Sequence, residues 1–315
     1  MELRTVLRGQ GNNAALKDGS LAPDGFSFAF EEVPVLIHAF RRMVRGLEWD
    51  VCEMAFATYL CAREHGVRFT AIPTFVMRGF HHGTLVHNPA AGLRTPADLE
   101  GKRVGLNRGY TVTTGVWLRG VIQDEHGVDL SRVTWVLSGD EHVADYVPPP
   151  NVVPLQEGQD LGALVASGEI PAAIALPVGD RVDGPALEPL IADPDEAAFR
   201  SFRSRGHYPI NHLIVVRDDV LEANPGLAAE LFRTIAEAKR RYVERLANGA
   251  IEEPTDVDRL YRRVMEVLPD PLPYGIDPNR AMIEEFIGHA LTQGVIRRPV
   301  RPEDVFAEET LALTG

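Results

Sequence analysis

Short apolar runs alternate with helical patterns along most of the chain. The runs are rich in β-branched and aromatic residues and have the length of strands. The predicted strands are residues 3–7, 26–30, 50–55, 69–76, 84–87, 103–106, 133–137, 172–176, 187–191 and 212–216. Strands and helices that alternate in this way are typical of an α/β protein with mainly parallel sheets.

Helices are predicted where apolar side chains recur at three- and four-residue spacing. Residues 34–47 place apolar side chains on one face and arginines opposite, and residues 225–247 show the same periodicity. From Asp256 onward only helices are predicted, and they are expected to cover the sheets. These are residues 257–268, 278–291 and 302–313. The proline-rich stretch 148–159 is predicted as a loop.

Length and charge narrow the classes of function. A chain of 315 residues exceeds what one hydrophobic core usually supports, so two domains are expected. The 32 Lys and Arg residues against 45 Asp and Glu residues give a formal net charge of −13. This balance argues against a surface for nucleic acid or for an anionic membrane. An anionic ligand must therefore be held by a local positive pocket.

The cysteines and the N-terminal segment bear on the compartment. Cys52 and Cys61 lie in one apolar stretch without a redox or metal-ligand spacing, so both are predicted as buried small hydrophobic residues. The first residues turn polar after Leu7 and lack the apolar region of a secretory signal. No apolar run approaches the roughly 20 residues of a membrane span. These features predict a cytoplasmic protein.

The run Gly9–Ala14 fits the G-x-G-x-x-A pattern of a dinucleotide-binding loop. Gly19 and Pro23 follow so closely that a crossover helix has no room, and pyrophosphate binding depends on such a helix. A glycine-rich loop at a strand end, which lines the cleft of another ligand, is therefore favoured over a nicotinamide site.

A second polar segment follows the strand at 103–106. Its hydroxyl groups and unpaired backbone N–H groups converge at the start of a predicted helix, which suits a carboxylate or phosphate. The alternative is that Thr111 or Thr113 merely caps the helix. Asn107 and Arg108, at the carboxyl end of the strand, favour a ligand, since open α/β sheets bind ligands there.

Several titratable residues accompany predicted strand ends. Arg78, His81 and His82 follow one strand, and adjacent histidines on an extended chain point to opposite sides, so no metal site is predicted. One of the two histidines is expected in a pocket as a proton donor or a carboxylate partner. A solvated loop imidazole is the alternative for His81. His212 leads into a buried strand and is either a core histidine or part of the same site.

Glu53 places a carboxylate within an apolar run that should be buried. Such a charge needs a partner or a function, and desolvation would raise its pKa toward acid–base use. The chain has no GxSxG elbow, HExxH motif, Walker lysine loop or EF-hand loop. The sequence therefore gives no support for a standard hydrolase, a zincin or an NTPase.

Several segments together resemble a known family. Residues 95–104, with 85–87 upstream, resemble the start of the second domain of the type II periplasmic binding protein fold. More specific segments are similar to the 4,5-dihydroxyphthalate decarboxylase family, a cytoplasmic enzyme branch of that fold. These segments are residues 49–54, 78–82, 117–120, 124–128 and 209–212, with Asn224-Pro225.

The resemblance implies a two-lobed α/β fold. Each lobe would be a mainly parallel sheet flanked by helices, with the ligand cleft between the lobes. The first, discontinuous lobe would take residues 1–84 and 211–315 with the C-terminal helices, and the second would take residues 85–210.

The resemblance also implies an activity, the removal of CO2 from a dihydroxylated aromatic dicarboxylate without an organic cofactor. The product of 4,5-dihydroxyphthalate would be 3,4-dihydroxybenzoate. His82 or His212, aided by Glu53, would be the acid that protonates the ring. The carboxylate clamp and its surroundings would be Arg78, Asn107, Arg108, Tyr110, Thr111, Thr113, Thr114 and Asn12.

The sequence departs from the family pattern at two places. Gln10-Gly11-Asn12 stands where the family has Tyr-Asp-Arg, and Gly83 and Thr84 stand where it has serines. A lost cation leaves a related aromatic or smaller carboxylate as an alternative substrate. The alternative functions are a solute-binding protein of an ABC-type transporter, which binds a small organic anion without catalysis, and another ring-modifying or precursor-synthesis enzyme. The expected partner is a small aromatic carboxylate, with no nucleic acid, membrane or metal, and apolar C-terminal helices would fit a homo-oligomer.

Overall fold

The computed structural model describes residues 1–176 and 186–315. The strands are β1 (Glu2–Val6), β2 (Ser27–Phe30), β3 (Val51–Ala55), β4 (Phe69–Arg78), β5 (Leu85–His87), β6 (Arg103–Leu106), β7 (Thr134–Leu137), β8 (Val152–Pro154), β9 (Ala172–Ile174), β10 (Glu188–Pro189) and β11 (Ile210–Arg217). The α-helices are α1 (Ala14–Lys17), α2 (Leu36–Gly46), α3 (Phe56–Glu64), α4 (Thr113–His126), α5 (Leu161–Ala166), α6 (Pro194–Arg205), α7 (Asp218–Ala223), α8 (Leu227–Ala247), α9 (Asp256–Val264) and α10 (Arg280–Thr292).

The chain divides into two compact units. The first contains Met1–Arg78, Ile210–Glu284 and Val300–Gly315, and the second contains Gly79–Pro209 and Glu285–Pro299. This division differs from the predicted one at residues 79–84 and 285–299, which belong to the second unit, and at Ile210, which belongs to the first.

Aromatic contacts explain this difference. The Phe80 ring packs on the rings of Phe199 and Tyr208, at centroid distances of 5.0 and 4.8 Å, and Phe286 packs on Trp117 at 4.8 Å. These contacts join residues far apart in sequence, so no local pattern marks them.

The first unit holds a five-stranded sheet in the order β2-β1-β3-β11-β4. β1 is parallel to β2 and β3, whereas β11 runs antiparallel to β3 and β4. The apolar strands β3 and β11 lie inside the sheet, and β3 is buried along its whole length. The return of the chain at β11 therefore sets residues from two distant segments side by side.

The second unit holds a six-stranded sheet in the order β10-β5-β9-β6-β7-β8. β6 is parallel to β7 and β9, and β5 is antiparallel to its neighbours. Its core combines strand residues with α5 and the segments next to it, and the buried members are Val86, Val136, Leu161, Val165, Ile170, Ala173 and Leu187.

Each predicted strand overlaps an observed one, but two other predictions are wrong. The stretch 148–159, predicted as a loop, contains β8, which pairs in parallel with β7. Residues 302–313, predicted as a helix, form two separate 3-10 turns at Pro302–Asp304 and Glu308–Thr310. The carbonyl of Ala71 in β4 accepts the N–H of Ala307 between these turns, which stops a continuous helix.

The glycine-rich loop after β1 continues as a 3-10 turn, Gly11–Asn13, and the four-residue α1. The prediction that no crossover helix follows is therefore confirmed. A Cβ atom at Gly11 would overlap the Tyr242 ring of α8, so the loop packs directly on that helix. Cys52 and Cys61 are buried and free, as predicted. Within residues 1–176 and 186–315, no helix is long and apolar enough to span a membrane.

Candidate active site

A buried carboxylate and an imidazole are paired at the centre of the first sheet. Glu53 on β3 is fully buried, and its Oε1 lies 2.6 Å from Nδ1 of His212 on β11. Glu53 Oε2 accepts the backbone N–H of Arg8 at 3.0 Å. Because a carboxylate only accepts hydrogen bonds, Nδ1 carries a proton here and Nε2 is the nitrogen left for chemistry. The Phe40 ring meets the imidazole edge-on at 5.1 Å and limits its orientation.

A cavity of about 450 Å³ lies within the first unit, and two of its lining residues are neighbours of this pair. Arg8, whose backbone binds Glu53, also lines the cavity, and Met77, which lies opposite His212 in the β4–β11 pairing, forms another part of its wall. Ile251 and Val257 add apolar surface. Neither Glu53 nor His212 lines the cavity itself; Arg8 and Met77 connect its partly apolar wall to the pair.

Cationic side chains line the same cavity. Nη2 of Arg8 contacts the sulfur of Met77 at 2.8 Å, and Arg8 forms no ion pair with a carboxylate in the described part of the chain. Arg245 also lines the cavity, with its guanidinium 3.5 Å from the carbonyl oxygen of Ala250. These side chains form a local positive pocket of the kind that the net charge requires for an anionic ligand.

Arg78 and Asn12, both predicted as ligand-binding residues, line this cavity too. Arg78 is buried, and its Nη2 donates to the carbonyl of Pro273 at 2.8 Å and to the side-chain oxygen of Asn279. These bonds tie the guanidinium to the segment before α10. Asn12 donates from Nδ2 to the carbonyl of Val76 at 2.8 Å, while its buried Oδ1 has no hydrogen-bond partner in the described structure.

Tyr242 closes the side of the cavity formed by α8. Its hydroxyl donates to the carboxylate of Asp258 on α9, and burial together with this bond raises the pKa of the Tyr242 phenol. At neutral pH the phenol is therefore a fixed donor, and it orients Asp258 at the rim.

His82 lies in the second unit and has its own carboxylate partner. Its Nε2 is 3.1 Å from Oε2 of Glu125 on α4, and Ser201 on α6 donates to Glu125 Oε1 at 2.6 Å. Burial opposes ionisation of Glu125, but the bonds from His82 and Ser201 outweigh burial and lower its pKa. The structure thus pairs Glu53 with His212, and His82 with Glu125. His81 is 2% exposed, so its interpretation as a solvated imidazole is wrong.

A network of opposite charges lies beside α4 and α10. Glu285 contacts His207 and Arg205, and its Oε1 lies 3.7 Å from Nε2 of His289. Burial opposes its ionisation, but hydrogen bonds from His207 and His289 and the charge of Arg205 lower the pKa of Glu285 to about 2. Possible metal-ligand atoms of Asp124, Glu285 and His289 lie within 4.8 Å of one another. Arg205 already contacts both carboxylates, so the arrangement serves as an ion-pair network.

The predicted polar turn before α4 is stabilised by the chain itself. Asn107 donates to the carbonyl of Ala175 at 2.9 Å, and the backbone N–H of Arg108 donates to Ser138 Oγ at 2.8 Å. Arg108 has φ +83°, a left-handed conformation that is unusual outside glycine. Its side chain is exposed, while its backbone N–H holds the turn.

The donors at the helix start also have a partner within the chain. The backbone N–H groups of Tyr110 and Thr111 and the Thr111 hydroxyl all donate to the carboxylate of Glu141. The helix begins at Thr113 after Val112, which has no side-chain capping bond, so neither threonine is its N-cap. Thr113 and the partly buried Thr114 lie in the first turn.

The predicted residues therefore fall into one group in each unit. Glu53, His212, Arg78 and Asn12 lie in the first unit, and His82 with residues 107–114 lie in the second. Sequence reasoning missed Arg8, Glu125 and Glu141. Arg8 follows the carboxyl end of β1, and Glu141 follows that of β7. For these two residues, a polar side chain just after the carboxyl end of a strand was the available signal.

Comparison with known proteins agrees with this description. No family model matches the chain. The 4,5-dihydroxyphthalate decarboxylase of Comamonas testosteroni is 28% identical over 316 residues, covering 94% of this chain and 93% of that protein. The protein of the same name from Pseudomonas putida is 30% identical over 204 residues, covering 60% of this chain and 76% of that protein. Both names support decarboxylase function.

Solved structures share the fold at low identity. A Candida albicans protein described as having the generic periplasmic binding protein fold superposes with a TM-score of 0.56 at 13% identity, covering 100% of this chain and 99% of that one. The aliphatic sulphonate binding protein SsuA of Escherichia coli gives a TM-score of 0.53 at 12% identity, covering 97% and 92%. These likenesses confirm the predicted periplasmic-binding-protein-like α/β fold.

Proposed function

The chain belongs to the 4,5-dihydroxyphthalate decarboxylase family, and from this premise we propose that it decarboxylates a hydroxylated aromatic carboxylate such as 4,5-dihydroxyphthalate. The product would be 3,4-dihydroxybenzoate, formed without an organic cofactor. The observation that carries the proposal is the buried Glu53–His212 pair beside a cationic, partly apolar cavity.

The chemistry requires an acid rather than a base at the reacting carbon. Direct loss of CO2 would leave an aryl carbanion, which is a high-energy species. Protonation of the ring carbon that bears the carboxylate avoids it, because the para hydroxyl releases electrons into the ring. The carbon–carbon bond then breaks, its electron pair restores the aromatic ring, and the proton stays on the carbon.

His212 is the proposed acid. Glu53 holds Nδ1–H and so orients the imidazole, while Nε2–H would deliver the proton. Water returns a proton to His212 after each turnover. The backbone N–H of Arg8 on the second oxygen keeps Glu53 in place.

The reaction also needs a group that holds the retained carboxylate and an apolar surface for the departing CO2, and the cavity can supply both. Arg8 and Arg245 offer guanidinium groups to the carboxylate that is retained, since the planar fork of arginine suits that group. Met77, Ile251 and Val257 provide an apolar seat for the departing CO2. Arg78, tied to Pro273 and Asn279, shapes the wall and adds positive charge.

The test measures CO2 and 3,4-dihydroxybenzoate formed from 4,5-dihydroxyphthalate by the purified protein. His212→Ala is expected to lower kcat about 100- to 10,000-fold, the usual contribution of a general acid. Glu53→Gln is expected to lower kcat with little change in KM, because Glu53 acts through His212. His38→Ala, at an exposed position on α2, is the matched control and should leave kcat unchanged.

Two results would contradict the proposal. Substrate that binds but releases no CO2 would move the function to non-catalytic binding of an organic anion. Turnover in which His212→Ala raises KM while kcat stays the same would make His212 a binding residue instead of the acid.

A further inference from the structure

The carboxylate of Glu141 fills the position that an anion would take at the start of α4. Its Oε2 accepts the Thr111 hydroxyl at 2.6 Å and the Thr111 backbone N–H at 3.2 Å, while Oε1 accepts the backbone N–H of Tyr110. Anions bind at helix starts through this set of donors. The contact therefore has the form of a bound ligand carboxylate, although it is supplied by the loop after β7.

The neighbouring sequence leaves room for this contact. A Cβ atom at Gly109 would overlap the Glu141 carboxylate, so only glycine permits the approach without a shift. Thr111 is fully buried, which keeps its hydroxyl turned toward the same group. The position is thus shaped for a carboxylate at close range.

A buried cation on α4, in contact with Tyr110, provides an independent reason for an anion. Arg119 on α4 is fully buried, lies 3.8 Å over the Tyr110 ring and donates to the Tyr110 carbonyl at 2.8 Å. Its Nε donates to Gln293 at 2.8 Å, whereas its buried Nη1 has no hydrogen-bond partner in the described structure.

No carboxylate forms an ion pair with Arg119 among the residues that the structure describes. A buried charge without compensation is costly, so a nearby anion is favourable. Burial lowers the pKa of Arg119, and the charge of Glu141 is among the groups that oppose this shift. Glu141 therefore supplies compensating negative charge both to the helix start and to Arg119.

We infer that Glu141 is an internal competitor for the carboxylate position at the start of α4 and so determines how tightly the second unit binds an anionic ligand. That the ligand is an aromatic carboxylate rests on the proposed function. This position belongs to the second unit, whereas Arg8 and Arg245, which would hold the retained carboxylate during turnover, line the cavity of the first. A ligand carboxylate that reaches Tyr110 and Thr111 must displace Glu141, which weakens binding and favours ligands with enough negative charge to compete.

The test compares phthalate binding by calorimetry in the full chain. Phthalate lacks the ring hydroxyls that the decarboxylation needs, so binding is measured without turnover. Glu141→Ala frees the donors and is expected to bind phthalate about tenfold more tightly than the unchanged protein. Glu157→Ala, at an exposed position in the same unit, is the matched control and should bind as the unchanged protein does. Equal or weaker binding by Glu141→Ala would overturn the inference.

A second variant keeps the test valid if the alanine variant folds poorly. Glu141→Gln retains the size of the side chain and removes its charge, and sulfate is expected to raise its Tm more than that of the unchanged protein. Equal sulfate shifts would overturn the inference. Phthalate binding and the sulfate-dependent Tm are both measured without decarboxylation, so their outcome is independent of the activity test. Tighter phthalate binding without decarboxylation would refute the proposed function alone, and decarboxylation with unchanged phthalate binding would refute the role of Glu141 alone.

Discussion

Arg8 joins the acid–base pair to the cavity through two different groups. Its backbone N–H holds Glu53, and its guanidinium lies at the cavity wall against Met77. A side-chain substitution leaves the backbone bond in place, so the two contributions can be separated.

Replacing the Arg8 side chain should weaken binding more than chemistry. Arg8→Met removes a cation that faces the cavity without a carboxylate partner in the described structure, and charge-assisted bonds are worth about 1.5–3 kcal/mol. We expect KM for 4,5-dihydroxyphthalate to rise about 10- to 100-fold with kcat within a few-fold. Arg103→Met, at an exposed position of β6, is the control. A fall in kcat with unchanged KM would show that Arg8 does not bind the substrate.

At single positions, the sequence identified the unusual residues and not their partners. Glu53 was conspicuous as an acid in an apolar run, but its partner His212 lies 159 positions away. Arg78 was predicted as a clamp because it follows a strand, yet its guanidinium is held by Pro273 and Asn279, about two hundred positions downstream. Only the folded chain determines such pairings.

At the scale of elements, hydrophobic periodicity predicted the secondary structure correctly where one face of a segment is buried and the other is exposed. The amphipathic α2 and α8 were predicted with small shifts at their ends. β8 was missed because it has three residues, stands at the sheet edge and follows prolines, so pairing with β7 decides its state. The turns after Pro302 were predicted as a helix because their apolar spacing fits one, but the backbone there bonds to β4 instead.

The loop after β1 allows a matched test of packing between elements. Gly11→Ala places a methyl group inside the Tyr242 ring, so loop or helix must shift, and overpacking of this kind costs about 1–3 kcal/mol. Gly9→Ala is the control, because the atom nearest to a Cβ there is Nζ of the flexible Lys17 side chain, at 3.9 Å. Thermal denaturation should show a lower Tm for Gly11→Ala only. Equal Tm values for both variants would show that the Tyr242 ring can move away from the new methyl group without loss of stability.

For the whole molecule, length predicted two domains and the family resemblance predicted that the first is discontinuous. The chain crosses between the units at Arg78/Gly79, Pro209/Ile210, Glu284/Glu285 and Pro299/Val300. The last two crossings were not predicted, and the first of these, at Glu284/Glu285, falls inside the continuous helix α10. Periodicity shows that a helix exists and gives no information on the unit that its residues join.

Acid should reveal the contribution of the Glu285 network to the stability of the second unit. A pKa of about 2 in the folded state, below the ordinary 4.5, means that Glu285 stabilises the fold above about pH 4.5 and loses this effect as the pH falls toward 2. Glu285→Gln should have a lower Tm than the unchanged protein at pH 6, with the difference shrinking toward pH 3.

Glu284→Gln provides the comparison for this pH series. Glu284 is exposed and lies 3.8 Å from Arg280, a surface pair that contributes little. Its Tm should follow that of the unchanged protein at each pH. A Tm difference for Glu285→Gln that stays constant from pH 6 to pH 3 would show that the charge of Glu285 is not what stabilises the network.

The position of β11 has a consequence for the order in which the chain assembles during synthesis. In the first sheet β4 is the edge strand next to β11, and β11 lies between β4 and β3. The ribosome must therefore synthesise the chain as far as Arg217 before this sheet can form completely. Until then β3 and β4 lack the strand that pairs with both of them. The strands β5 to β10 are complete at Pro189, so the second sheet can form first, and the N-terminal strands are the part of the nascent chain most exposed to aggregation.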